Sequence, residues 1–329
     1  MAARILAALP PALALVAVVP AWAGGPGPGA VFQDCPACPQ MVVIPPGRFV
    51  MGSSLAEDGR DRDENPEHEV AIGYPFAVSR TEVTRAQYRA FMHEAAHAPA
   101  PGNCWYWDAK GRGVRNDDAS IGWQDPGYPQ DDDHPVVCVS WHDAKAYAQW
   151  LSRKSGRSYR LLTETEWEYA ARAGSGAPRP WGEDPARACE HANVGDRARD
   201  RIVPDAHGNY WRPAHDCDDG YGYTAPVGRY QPNRFGLHDV IGNVWEWTED
   251  CANPHYVGKP ADGSAWLEGD CGRREGRGGS WYHTPRHARS ANRHRVPAAM
   301  RMMDLGFRVG AEVSAGPLSP AARPGPSSP

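Results

Sequence analysis

Ser280, His283, His287 and His294 crowd one short segment of this chain. Imidazoles in such a cluster suit iron or copper(II). His283 and His287 are four apart, the spacing of one helix face, but Pro285 between them disfavours a regular helix. A Ser/His/Asp nucleophilic site using Ser280 and His283 is formally open, although no nucleophile-elbow pattern surrounds Ser280. A different chemistry is offered by Gly236-Leu237-His238-Asp239-Val240-Ile241-Gly242-Asn243-Val244-Trp245-Glu246-Trp247. Its apolar residues follow neither a helical nor a strand period, which reads as a buried turn. Asp239 and Glu246 offer carboxylate oxygens, and carbonyls near Gly242 and Val244 complete the oxygen shell that calcium needs. The alternative is a tight turn that only packs two tryptophans.

Elements that could hold these residues are short. Thr84 with Gln87 forms a capping-box pattern, after which Tyr88, Phe91, Met92 and Ala95 share a face. Ser140 caps a second helix carrying Ala144, Tyr147, Ala148 and Leu151, which Gly156 ends. Thr163 with Glu166 opens a third, stopping at Gly174. Runs at 41–44, 48–51, 68–72 and 76–78 read as strands. Gly 35 and Pro 32 among 329 residues favour loops, and thirteen Trp favour packing by large aromatics. The mixture argues for an α+β domain.

Gly242-Asn243-Val244-Trp245-Glu246-Trp247, Arg277-Gly278-Gly279-Ser280-Trp281, Ala288-Arg289-Ser290 and Leu305-Gly306-Phe307-Arg308 together resemble the sulfatase-modifying-factor family, whose best-known members are the formylglycine-generating enzymes. Met41 to Gly47, Met51-Gly52, Glu82-Val83-Thr84, Val139-Ser140-Trp141 and Arg160 to Glu168 fit the same pattern in the same order. The resemblance covers residues 41 to 310.

The resemblance implies a formylglycine-generating-enzyme or C-type-lectin-like fold with two calcium ions. One would be held by Asn193, Val194, Asp219 and Tyr221, the other by Asp239, Gly242, Val244 and Glu246. It also implies that Ser280 and Trp245 line an oxygen and substrate pocket. Formylglycine-generating enzymes carry two cysteines beyond the Gly-Gly-Ser-aromatic motif, which bind copper, activate oxygen and oxidise a cysteine of a client sulfatase. Here the position of the first is His283, and the segment to Ala288 is too short to supply the second. Copper(I) wants thiolates, so the usual formylglycine chemistry is not expected. His283 either carries a redox metal, iron or copper, or fills the vacated place as a hydrogen-bonded pocket residue.

Arg4 followed by an apolar run and Ala21-Trp22-Ala23 reads as a signal peptide over 1–23, giving an exported protein, periplasmic or secreted, with no cysteine for a lipid anchor. Residues 24–40 are expected as a linker, 41–310 as the domain and 311–329 as a disordered tail. Eight cysteines in an exported chain favour disulfides, with neighbours paired as Cys35 with Cys38, Cys104 with Cys138, Cys189 with Cys217 and Cys251 with Cys271. Connectivity is not fixed by sequence, and Cys35-Pro36-Ala37-Cys38 could instead be a redox or zinc motif. A net charge of -5 gives no reason to expect a nucleic-acid partner. Nine arginines from Arg273 to Arg308 suit either an anionic ligand or internal ion pairs with Asp-rich loops such as Asp131-Asp132-Asp133. Two functions remain open: oxidative modification or maturation of a protein or peptide substrate, and a non-catalytic, calcium-stabilised lectin-like module that binds a peptide or glycan. Oligomeric state is not readable.

Overall fold

Side-chain caps start the three main helices where the sequence places them. Thr84 opens α1 (Arg85–Ala95) by accepting from the Gln87 amide, while the Gln87 side chain accepts from the Thr84 amide. Ser140 with Asp143 does the same for α2 (Trp141–Ser155), which Gly156 closes in the left-handed region. Thr163 with Glu166 opens α3 (Glu164–Arg172). The short α4 (Ala188–His191) and α5 (Arg197–Ile202) follow. These observations come from a computed structural model of the chain, which describes residues 26–99, 102–108, 113–203 and 214–313.

Four small sheets surround the helices. The first part of the chain gives β1 (Val31–Phe32), β2 (Met41–Ile44), β3 (Gly47–Met51), β4 (His68–Ile72), β5 (Phe76–Ser79), β6 (Cys104–Asp108), β7 (Gly113–Arg115) and β8 (Tyr159–Arg160). The second gives β9 (Trp245–Ala252), β10 (Asp270–Arg277), β11 (Arg293–Pro297), β12 (Arg301–Met302), β13 (Leu305–Gly306) and β14 (Gly310–Glu312). The sheets run β1-β2-β5-β14-β8, β11-β10-β9-β13, β12-β6-β7 and β3-β4. Because β1 pairs with β2 and Cys38 is buried, ordered structure begins inside the segment expected as a linker. At the other end β14 carries the domain past Gly310 by pairing with β5. The segment expected as a signal peptide and residues 314–329 of the expected tail lie outside the described residues.

All four disulfides pair neighbours: Cys35–Cys38, Cys104–Cys138, Cys189–Cys217 and Cys251–Cys271. The first disulfide leaves Cys35 and Cys38 no thiolates for zinc; it is equally the oxidised form of a redox motif. Aromatics fill the core, with Tyr88, Phe91, Tyr147 and Phe307 packed edge to face between α1, α2 and the largest sheet.

The arginine-rich stretch is spent internally. Arg277 bonds Glu168 at 2.5 Å and Arg293 bonds Glu164 at 2.7 Å, beside Lys259 on Glu164 at 2.8 Å. Arg289 binds Glu57 and Glu64, Arg308 binds Glu246, and Arg301 binds Asp143. Asp132, from the loop expected to supply partners, pairs instead with Arg89. Buried guanidinium groups need carboxylates from distant segments, and this network joins α3, β10 and β11 around Glu164.

Candidate functional site

Two backbone features deliver the site residues. β13 lies parallel to the start of β9, with Leu305 opposite Trp245, and the Trp245 amide donates to Asp304 O at 2.8 Å. Asp304 and Trp245 are thereby held side by side. The Gly278-Gly279 turn then brings Ser280 in from β10. Gly279 has φ +76° and a Cβ there would lie 2.9 Å from His287 O, so only glycine fits this close turn. From Ser280 the chain turns, without a helix, through His283 to His287. The His283 amide donates to Ser280 O at 3.0 Å, and Gly195 N donates to His283 O at 2.9 Å.

Three side chains converge on His283 Nδ1. Ser280 Oγ lies 2.7 Å from it, Trp245 Nε1 3.2 Å and Asp304 Oδ2 3.3 Å. The Ser280 hydroxyl also donates to Asp304 Oδ2 at 2.7 Å. One neighbour can only donate, one carboxylate can only accept and the hydroxyl can do either. Trp245 thus suits an unprotonated Nδ1, whereas Asp304 would accept from a protonated one. Burial alone would raise the Asp304 carboxyl, but the hydrogen bond and charge of His283 and the Ser280 hydroxyl hold it below the usual carboxylate range. Ser280 spends its proton on Asp304 and shares one imidazole nitrogen with it. This is not a nucleophilic triad, in which serine and aspartate engage opposite ring nitrogens.

His287 and His294, both partly exposed, complete the wall. The Trp245 ring centroid is 5.0 Å from His294 and 6.4 Å from His287, and His283 and His287 stand 4.9 Å apart. Burial, followed by the neighbouring His283, pushes His287 down to about 3 and His294 to about 4. Both are neutral near pH 7. Among the described residues, the one set of three His, Cys, Asp or Glu ligand atoms within 4.8 Å of one another is Cys189, Asp196 and Cys217, whose sulfurs are joined in a disulfide. The imidazoles and Asp304 thus do not form a converged three-ligand metal set in this geometry.

The residues expected around the first calcium are close together. Val194 N and Tyr221 N donate to the two oxygens of Asp219, each at 2.8 Å. Asn193 is buried and its Oδ1 has no hydrogen-bond partner. Burial, then the nearby Asp196, pushes Asp219 up to about 7. An unsatisfied amide oxygen on Asn193, one residue before the Val194 amide that donates to Asp219, fits a hard cation. Asp196 was not anticipated from the sequence.

The second set fits less well. Gly242 (φ +82°) lets the turn press against Asn193 O, and Asp239 and Asn243 also have positive φ. Both Glu246 oxygens, however, are taken by Arg308 at 2.7 Å, and Trp167 Nε1 donates to one of them at 2.6 Å. The unclaimed oxygens nearby are Asp239 Oδ1 and Glu82 Oε2. Burial and then its neighbour Asp239 raise Glu82 well above its usual range, while Asp239 is pushed up to about 6, mainly by burial. Glu82 belongs to a recognised motif but had no assigned role. Asp304, immediately before Leu305-Gly306-Phe307-Arg308, could have been found from its place against that motif.

A loop-rich α+β architecture around a Gly-Gly-Ser turn defines the formylglycine-generating-enzyme, C-type-lectin-like class of fold. The chain belongs to the family described as Sulfatase-modifying factor enzyme 1-like domain, which matches residues 28–313. It is 33% identical over 328 residues to a formylglycine-generating enzyme of Streptomyces coelicolor, covering 90% of this chain and 96% of the relative. It is 35% identical over 243 residues to a Mus musculus protein named inactive C-alpha-formylglycine-generating enzyme 2, covering 66% and 70%. Among solved structures, PvdO from Pseudomonas aeruginosa matches with a TM-score of 0.72 at 39% identity, covering 87% of this chain and 99% of that one.

Proposed function

We propose that this chain acts in oxidative modification or maturation of a protein or peptide substrate, in a periplasmic or secreted setting, with His283 as the group that accepts the substrate proton. The observation that carries this reading is the convergence of Ser280, Trp245 and Asp304 on His283 Nδ1. The Asp304 carboxylate, 3.3 Å from Nδ1, is placed to balance the charge of an imidazolium formed when a proton arrives, which is what a general base needs. All eight cysteines are in disulfides, so no thiolate remains for the copper site of formylglycine-generating enzymes. The donors around His283 do not converge on a metal, and the reading rests on proton transfer rather than on a redox metal at this residue. The oxidant in this reading is dioxygen, which takes the two electrons and two protons that leave the substrate.

Calcium has a supporting role. The first site, at Asn193, Val194, Asp219 and Tyr221, has the donor chemistry for it, and the ion would supply positive charge to a loop that otherwise buries carboxylates. At the second site a cation would draw on Asp239 and Glu82 more readily than on Glu246. Oxygen uptake by the wild-type protein against a peptide library, compared with His283→Ala, tests the main reading. Uptake that depends on peptide and on His283 supports it, and uptake unchanged in His283→Ala contradicts it.

A further inference from the structure

Cys35–Cys38 differs from the other three disulfides in what it holds together. Those close sequence separations of 34, 28 and 20, where a cross-link removes much unfolded-state entropy, whereas this one closes a separation of 3 and removes little. Its loop is also held without it. β1 and β2 pair on either side, Val31 with Val42 and Phe32 with Met41. Asp34 is fixed by Arg157 Nε at 2.8 Å and by the Tyr159 hydroxyl at 2.7 Å. Gln33 Nε2 donates to Cys38 O at 2.7 Å, and the Cys38 amide donates to Cys35 O at 2.9 Å. We propose that this bond is an exchangeable disulfide that takes two electrons from a dithiol in a peptide or protein. No part of this chemistry involves His283.

Exposure sets which sulfur is attacked. Cys35 is half-buried and is followed by the exposed Pro36, whereas Cys38 is fully buried in the apolar cluster with Met41, Tyr147 and Leu161. A partner thiolate therefore meets Cys35 Sγ. Its attack forms a bond between the partner sulfur and Cys35 and breaks the Cys35–Cys38 bond, and the Cys38 sulfur leaves with the electron pair and takes up a proton. The Cys38 thiol so formed is a small apolar group, which suits its surroundings. The partner's second thiolate then attacks the partner sulfur of the mixed disulfide. That step closes the partner's own disulfide and releases the Cys35 thiolate, which is protonated in turn. The partner loses two electrons and two protons, and the cysteine pair gains them. The hydrogen bonds of the turn keep Cys38 beside Cys35, so a partner with a single thiol is displaced again when Cys38 returns. The charge of Asp34, next to the attacked sulfur, is balanced by Arg157, which lessens its repulsion of the incoming thiolate.

The test is to incubate the full chain, with oxygen excluded, with a capped Cys-Gly-Gly-Cys dithiol peptide, trap free thiols with an alkylating agent and map the labels by mass spectrometry. Labels are expected on Cys35 and Cys38 before any of the other six cysteines, with one peptide disulfide formed for each pair labelled. Circular dichroism should show the chain still folded at that stage. Single replacements then distinguish the two sulfurs. Cys38→Ser leaves Cys35 as a reachable thiol and should capture the oxidised peptide as a stable mixed disulfide, whereas Cys35→Ser leaves only the buried Cys38 and should capture none. Earlier labelling of another pair, no labelling until the chain unfolds, or equal capture by both variants would overturn the assignment. The wild-type map decides by itself where a variant fails to fold.

Discussion

Asp304 and Trp245 are neighbours across a parallel strand pair, and their side chains meet at one atom, Nδ1 of His283. Asp304 favours a protonated nitrogen and Trp245 an unprotonated one, with the Ser280 hydroxyl able to serve both. The site is thus built around a single imidazole whose orientation is fixed from three sides.

Asp304 acts through His283, and its replacement should show that. Asp304→Asn is expected to lower peptide-dependent oxygen uptake by about a hundredfold, at the low end of what general-base catalysis supplies. It should also move the pH-rate profile, which a merely structural substitution would not. Uptake and its pH profile in both proteins are the measurement.

Calcium removal should act most at neutral pH. Asp219 is pushed up to about 7, so without a cation its contribution to stability is present in acid, below the usual carboxylate value, and is lost as pH rises to about 7. Calcium added to chelator-treated protein should raise the melting temperature more at pH 7.5 than at pH 5, and Asp219→Asn should abolish the difference. Equal shifts at both pH values would remove Asp219 from the site.

Protonation of the histidine wall gives the opposite slope. His287 is pushed down to about 3, by burial first and then by His283, whereas the unfolded residue titrates at its ordinary value. The unfolded state takes up that proton first, so stability is lost as pH falls from about 6.5 towards 3. Relative to His287→Asn, the wild type should lose up to about 1.4 kcal/mol per pH unit across that window in chemical denaturation.

Glu164 holds Lys259, Arg277 and Arg293 together with no exposure of any of their side chains. Those three cations keep its carboxyl far below its usual range despite burial, which opposes them as the largest single effect. Glu164→Gln should cost about 3 to 5 kcal/mol, the loss that follows when a buried ionic network is left unbalanced. Urea unfolding checks it.

Local signals were legible in the chain because their partners are close in sequence. The caps at Thr84, Ser140 and Thr163, the strand runs from 41 to 78 and the neighbour-paired cysteines all appear where expected. Pro285 correctly marked the turn between His283 and His287. Partners far apart in sequence were not legible. Arg289 finds Glu64 across 225 positions, and Glu246, read as a calcium ligand, is claimed by Arg308 and Trp167. Asp304 reaches His283 because β13 enters parallel to β9, a pairing that no local pattern encodes.

The most direct test of the central claim is mass spectrometry of a peptide library after aerobic incubation with the wild type and with His283→Ala. The account predicts a mass change of oxidation in some peptides with the wild type and none with the variant, although both remain folded. The same change in both proteins, or no change with either while peptides still bind, would contradict it.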